Sequence, residues 1–172
     1  MDADDTELER LESVGALNFF TLDDLPAEAE GVALDPESIV SIPFKHSVPL
    51  FPDTSAVIDD PLLRRLGKSG KRWIVITDDH GQPRLVLDFS TLLREMARTR
   101  LSVDPRRFCH QPVIIRDRKK LLGEVISKLH FKKNGEEKII HPDVILLWDE
   151  HPRIVTGSDI LGRLLQGALP AR

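Results

Sequence analysis

The chain has 172 residues, 41% of them hydrophobic and 30% charged, with a formal net charge of −4. That is enough for one good core or two small intertwined units, and the mild acidity gives no general attraction to nucleic acid or anionic membrane. A single cysteine, Cys109, excludes an internal disulfide and any multi-cysteine metal site, and fits a reducing compartment. No apolar run reaches membrane-spanning length, and the acidic start lacks the basic-then-apolar order of a secretory signal. A soluble, cytoplasmic chain is expected, either on its own or as the cytosolic piece of a membrane protein.

Residues 2–12 are acidic, with Leu8 and Leu11 at helical spacing, and Gly15 ends or bends that helix. Leu17-Asn18-Phe19-Phe20 is a short apolar plug, and Leu25-Pro26 through Gly31 reads as a linker. Ile39 to Phe44 suggests a first short strand or a docking segment. Residues 1–47 are therefore expected to be an N-terminal helix and connector arm. Val48-Pro49-Leu50-Phe51-Pro52 is broken by prolines and can pair only on an edge. Asp60-Pro61 has the form of a helix N-cap followed by proline, with Leu62, Leu63 and Leu66 on the apolar face. Trp73 to Ile76 predicts a buried strand, Asp78 to Gly81 a turn, Leu85 to Leu87 a second strand, and Leu92, Leu93 and Met96 a helix.

Pro112 to Ile115 predicts another strand. Asp117 is placed to cap a helix carrying Leu121, Leu122, Val125, Ile126 and Leu129. Asn134-Gly135 marks a turn, Val144 to Trp148 a strand, Asp149 to Pro152 a turn, and Ile154-Val155 the returning strand. The final helix carries Ile160, Leu161, Leu164 and Leu165 on one face, and Gly167 and Pro170 stop it.

The stretch from Arg153 to Leu165 holds the polar residues best placed for chemistry. Thr156 and Asp159 straddle a helix start, where a hydroxyl and a carboxylate can face one small molecule and backbone N–H groups favour anions. The plain alternative is that Thr156 or Ser158 caps the helix and Asp159 complements its dipole. A repeat bears on the choice. Val86-Leu87-Asp88-Phe89-Ser90-Thr91-Leu92-Leu93 aligns with Ile154-Val155-Thr156-Gly157-Ser158-Asp159-Ile160-Leu161, and each preceding strand ends in an acidic turn containing a histidine.

This stretch, with its Thr-x-x-Asp followed by Ile-Leu, resembles the last strand and helix of a CBS domain. Written twice, the strand–helix–strand–strand–helix unit resembles a CBS pair. The resemblance implies an α/β fold of two repeats, each a small sheet packed with two helices: a degenerate repeat 1 at 48–100 and repeat 2 at 101–172. It further implies a non-catalytic regulatory module binding an adenine nucleotide (ATP or AMP, with or without Mg²⁺) in the cleft of repeat 2. Thr156 and Asp159 would hold the ribose, beside Ser158 and Val155, and the base would lie against Val113, Ile114 and Val144. Arg153, often glycine in the family, would either contact phosphate or block the cleft. In repeat 1, Asp88 stands where the hydroxyl belongs and Thr91 where the acid belongs, so that site is expected empty or altered. The resemblance also implies a homodimer through the helices at 89–97 and 158–168. Residues 154–167, with the lead-in Ala16 to Phe19 and Asp35 to Ile39, are similar to CorC and cyclin-M type magnesium transporters, which implies a membrane transport domain outside this chain. The alternative is a ligand-free CBS scaffold for homodimerisation or protein interaction.

Other signals are plainer. The histidines, His46, His80, His110, His130, His141 and His151, show no metal-ligand spacing with a supporting acid, so no metal is expected. The basic clusters at Arg64 to Arg72 and Arg116 to Lys120 read as solvated faces or phosphate contacts. Few aromatics interleave them, so nucleic acid is not an expected partner. Cys109-His110 lacks a third orienting group, and no acid/base or nucleophile constellation predicts an enzyme.

Overall fold

The computed structural model describes residues 24–51, 64, 66–68, 70–99, 103–129 and 143–168, with side chains in the last helix to Leu165. The expected helix at 2–12, the plug at 17–20, the Asp60-Pro61 cap, the Asn134-Gly135 turn, His130, His141 and Pro170 lie outside these residues. In chain order the strands are β1 (Val32–Ala33), β2 (Ile39–Ser41), β3 (Phe44–Lys45), β4 (Val48–Pro49), β5 (Trp73–Thr77), β6 (Pro83–Asp88), β7 (Cys109–His110), β8 (Pro112–Ile115), β9 (Val144–Leu147) and β10 (Arg153–Thr156). The α-helices are α1 (Phe89–Thr99), α2 (Leu122–Ile126) and α3 (Gly157–Ala168). Sheets and helices alternate, an α/β architecture.

The chain divides into two compact units that are discontinuous in sequence. Unit I takes the described residues of 34–112 with Asp143; unit II takes 24–33, 113–129 and 144–168. The sequence boundaries at 47/48 and 100/101 cut the chain linearly and miss this interleaving. Val32-Ala33 belong to the sheet completed by β10, more than a hundred residues later, and such long-range pairing leaves no local signature.

Unit I holds a four-stranded sheet in the order β2-β5-β6-β7. β5 and β6 form the expected antiparallel hairpin, and β2 runs parallel to β5 with Ile39 opposite Val75. The strand beside the hairpin is thus Ile39–Ser41, upstream of residue 48, where repeat 1 was expected to begin. Val48-Pro49 instead pairs with Phe44-Lys45 in a separate two-stranded ribbon. Ile74, Ile76, Leu85 and Leu87 pack on one face against Phe89, Leu92, Val40, Ile42, Leu66, Val103 and Cys109. Val75 and Val86, which alternate with them, are fully buried as well. Burial on both faces explains why these strands are written as continuous apolar runs.

Unit II repeats the plan with the order β1-β10-β9-β8. Ile145, Leu147 and Val155 pack with Ile115, Leu122, Val125, Ile160 and Ala27. Val144, Leu146 and Ile154 are buried on the opposite face. The hairpin turns match too. Asp78 Oδ1 accepts from His80 N (3.0 Å), and Asp149 Oδ1 accepts from His151 N (2.8 Å). Both histidines are exposed turn residues, and the acids hold the turns through their own backbone.

Asp117 does not cap α2. The helix begins five residues later, at Leu122, preceded by Leu121 with no side-chain cap. Asp117 instead closes a turn, accepting from Lys119 N at 2.9 Å.

Gly31 fixes the path of the connector into unit II. Its φ is +76°, and a Cβ there would lie 2.2 Å from the Ile154 carbonyl oxygen. Gly81 shares the positive φ (+71°) but has open space around it. Chemical denaturation should therefore separate the two. Gly81→Ala carries only the cost of its conformation, about 1–3 kcal/mol, whereas Gly31→Ala adds a backbone clash and should cost clearly more. Equal losses would mean the connector yields at no cost.

Candidate functional site

The β10–α3 junction brings Thr156 and Asp159 together. Thr156 is the last residue of β10, and Gly157 opens the helix. Asp159 Oδ2 accepts from both the Thr156 N–H and its hydroxyl, each at 2.7 Å, and Asp159 N donates back to Thr156 Oγ1 at 3.4 Å. This is a reciprocal cap, the Ser/Thr-x-x-acid box that ties a strand end to a helix start. The capping expected of these residues is therefore present. It engages one carboxylate oxygen. Oδ1 accepts no hydrogen bond among the described residues, and Asp159 and Thr156 are both half-buried, so that oxygen can receive a ligand's hydroxyl. Ser158 is exposed beside them.

Strand alternation sorts the apolar candidates. Val155, buried, and Val113, partly buried, pack into or against the unit II core with Ile145 and Ile115. Thr156 lies directly opposite Val144 in the β10–β9 register. Val144 and Ile114 lie on the face away from that core; Val144 is buried and Ile114 is 39% exposed. Thr156, Val144 and Ile114 thus share one side of the sheet.

Arg153 is engaged elsewhere. Its Nε donates to the Glu30 carbonyl (3.2 Å) and its Nη2 to the Gly31 carbonyl (2.8 Å). These two donors hold the connector and are not presented to a phosphate.

The equivalent junction in unit I is arranged differently. Asp88 ends β6, and its Oδ1 accepts from Ser90 Oγ and Thr91 N, both at 3.1 Å, as an N-cap of α1. Its Oδ2 accepts from Arg72 Nη2 at 3.2 Å, and the Arg72 guanidinium lies 4.7 Å over the Trp73 ring. Both carboxylate oxygens are engaged. Burial, the largest single influence, pushes the Asp88 carboxyl up, but the hydrogen bonds from Thr91 and the Arg72 guanidinium together outweigh it and hold the group below its usual value. His110 and Asp143 form a second polar pair in this unit, Nδ1 to Oδ1 at 2.8 Å, with His110 edge-on to Trp73 at 5.6 Å.

The sequence reading missed two arginines by placing them in solvated basic clusters. Arg72 pairs with Asp88. Arg118 grips Asp149 with a fork, Nε to Oδ2 at 2.5 Å and Nη2 to Oδ1 at 2.9 Å, and also reaches Glu28 at 3.3 Å and the His151 carbonyl at 3.2 Å. The Arg118 hydrogen bond is the main reason the Asp149 carboxyl is lowered. Their partners differ in place: Asp88 ends β6, and Asp149 lies in the turn after β9. Cys109 is buried, and that burial pushes its thiol up to about 12, which disfavours the thiolate at neutral pH. Among the described residues, no three His, Cys, Asp or Glu side chains gather into a metal site, and no helix is long and apolar enough to cross a membrane.

No family model matches the chain, and no curated protein matches it.

The Asp88 arrangement has a pH consequence. A carboxyl lowered by folding stabilises the native state above its unfolded value near 3.9, and that stabilisation is lost as pH falls through the folded value. Urea unfolding from about pH 6 to about pH 2.5 should show wild type losing more stability than Asp88→Asn, with the gap between them closing at the acid end. The other lowered aspartates are common to both proteins. Parallel curves would mean Arg72 and Thr91 contribute nothing through Asp88.

Proposed function

We propose that this chain is a CBS pair, a non-catalytic regulatory module that binds one adenine nucleotide at the β10–α3 junction of unit II. The observation that carries the reading is the difference between two equivalent carboxylates. Asp159 keeps Oδ1 free of protein donors among the described residues, while both oxygens of Asp88 are engaged. An ionised carboxylate beside a hydroxyl suits the vicinal diol of a ribose, each charge-assisted bond contributing about 1.5–3 kcal/mol. Ile114, 39% exposed on the same side of the sheet as Thr156, offers an apolar contact for the base. The duplicated strand order and matching Asp-closed turns support the repeat on which the reading rests. Within it, Asp159 and Thr156 bind the ribose, Ser158 flanks the phosphates, and Ile114 meets the base. The module is the cytosolic part of a CorC-like membrane transporter, and its nucleotide is ATP or AMP, with Mg²⁺ as a companion of the phosphates.

A second reading, a ligand-free scaffold for homodimerisation, is favoured by α3 itself. Leu161 and Leu165, one turn apart, are 55% and 58% exposed, an apolar ridge that a second copy would cover.

Calorimetry of ATP, ADP and AMP with and without Mg²⁺ separates the two. The sensor gives one site per chain, and Asp159→Asn, which keeps an acceptor for the cap, weakens it at least about tenfold. A folded dimer that binds none of the three nucleotides would leave the scaffold. Binding unchanged in Asp159→Asn would place the ligand elsewhere.

A further inference from the structure

Glu30 and Gly31 touch both elements that build the Thr156–Asp159 junction. β10 carries Thr156 and also Arg153, whose guanidinium donates to the Glu30 and Gly31 carbonyls at 3.2 and 2.8 Å. α3 carries Asp159 and, one turn on, Arg163, whose Nε lies 3.5 Å from Glu30 Oε1. One connector residue is therefore held by the strand through its backbone and by the helix through its side chain. There is no slack in this arrangement, because Gly31 passes so close to the Ile154 carbonyl that a single methyl would collide with it. Val32 and Ala33 then pair directly with Ile154 and Arg153. A change in the angle between β10 and α3 moves Arg153 relative to Arg163 and so strains the double hold on Glu30.

We propose that the Glu30–Gly31 segment is a coupling strap: a nucleotide bound across Thr156 and Asp159 fixes the β10–α3 angle and thereby tightens the docking of residues 25–33, and the docked connector in turn tightens the nucleotide. This rests on the nucleotide reading above and adds its regulation. The ligand bridges the strand end and the helix start; the strap bridges the same two elements through Arg153 and Arg163. Two bridges across one hinge stabilise each other, and the coupling is reciprocal by linkage. The chain N-terminal to residue 25 would receive the signal as a change in how firmly its anchor is held. Arg153, Arg163 and Glu30 are positioning residues in this scheme and do not touch the nucleotide.

The test uses the full chain, with ATP and AMP as probes, and reads two quantities: calorimetric affinity, and amide hydrogen exchange in peptides covering residues 25–33. In wild type, saturating nucleotide should slow exchange in that segment severalfold. Arg163→Gln and Glu30→Gln, each removing the helix-side hold while keeping size, should weaken the nucleotide about three- to tenfold and reduce the slowing. A purely structural strap would speed exchange in the free variants and leave affinity untouched, which overturns the proposal. So does wild-type binding without any change in exchange at 25–33; in that case the nucleotide reading survives alone. If wild type binds neither ATP nor AMP, the nucleotide reading fails and the strap falls with it.

Discussion

The pairing of Val32-Ala33 with Arg153-Ile154 is the constraint on which unit II depends. It supplies the edge strand of the sheet. It also requires the glycine at position 31 and gives Arg153 its work. The same connector is zipped further upstream: Ala27 N donates to the Lys120 carbonyl at 2.9 Å, and Leu122 N to the Leu25 carbonyl at 2.8 Å. Arg118 adds charge to this seam by reaching Glu28 while it grips Asp149. Asp149 Oδ2 is cut off from solvent, and the guanidinium beside it is its counter-charge, so the pair would be costly to break. The linker-like composition of residues 25–31 therefore conceals a segment that is part of the second unit's structure.

The two junctions show how one local geometry can be put to different ends. A strand ends in a polar residue, and a helix starts at the next position. In unit I the polar residue is an acid. It caps the helix with one oxygen and takes an arginine with the other, so both of its oxygens are engaged by the protein. In unit II the hydroxyl and acid are exchanged in order, and the cap is made with one oxygen of the acid. The backbone requirement, satisfying N–H groups at the helix start, is met in both cases. Only in the second does the solution leave a charged acceptor with capacity to spare.

Much of the fold was legible because the strong signals are local and periodic. The runs Trp73 to Ile76, Leu85 to Leu87 and Val144 to Leu147 are apolar, short and bounded by turns, and each is a strand. The helix after Asp88 and the helix after Thr156 followed from apolar spacing. What escaped was non-local. The role of Ile39–Ser41 beside β5 depends on a partner more than thirty residues away, and the capping assigned to Asp117 failed because an Asx turn competes for the same side-chain oxygen. At the site, Thr156 and Asp159 were found by their spacing. The division of Val113 and Val155 from Ile114 and Val144 needed the strand register, since a one-residue shift would exchange the two sets. The engagement of Arg153 had no sequence signal, because its partners are backbone carbonyls, which every residue carries.

The interleaving of the units also dictates how the molecule is made. Arg153 and the Glu30 carbonyl it holds are 123 residues apart. During synthesis, Val32 and Ala33 emerge more than a hundred residues before their partner strand exists. Unit I can close its sheet once β7 has emerged, whereas unit II has neither of its middle strands until residues 144–156 are made. Closing so long a loop carries an entropic cost that must be met before the contact rewards it. The connector's edge thus stays unpaired until β10 is made, and a ribosome that stalls before β10 releases a chain with one finished sheet and one exposed strand seeking a partner.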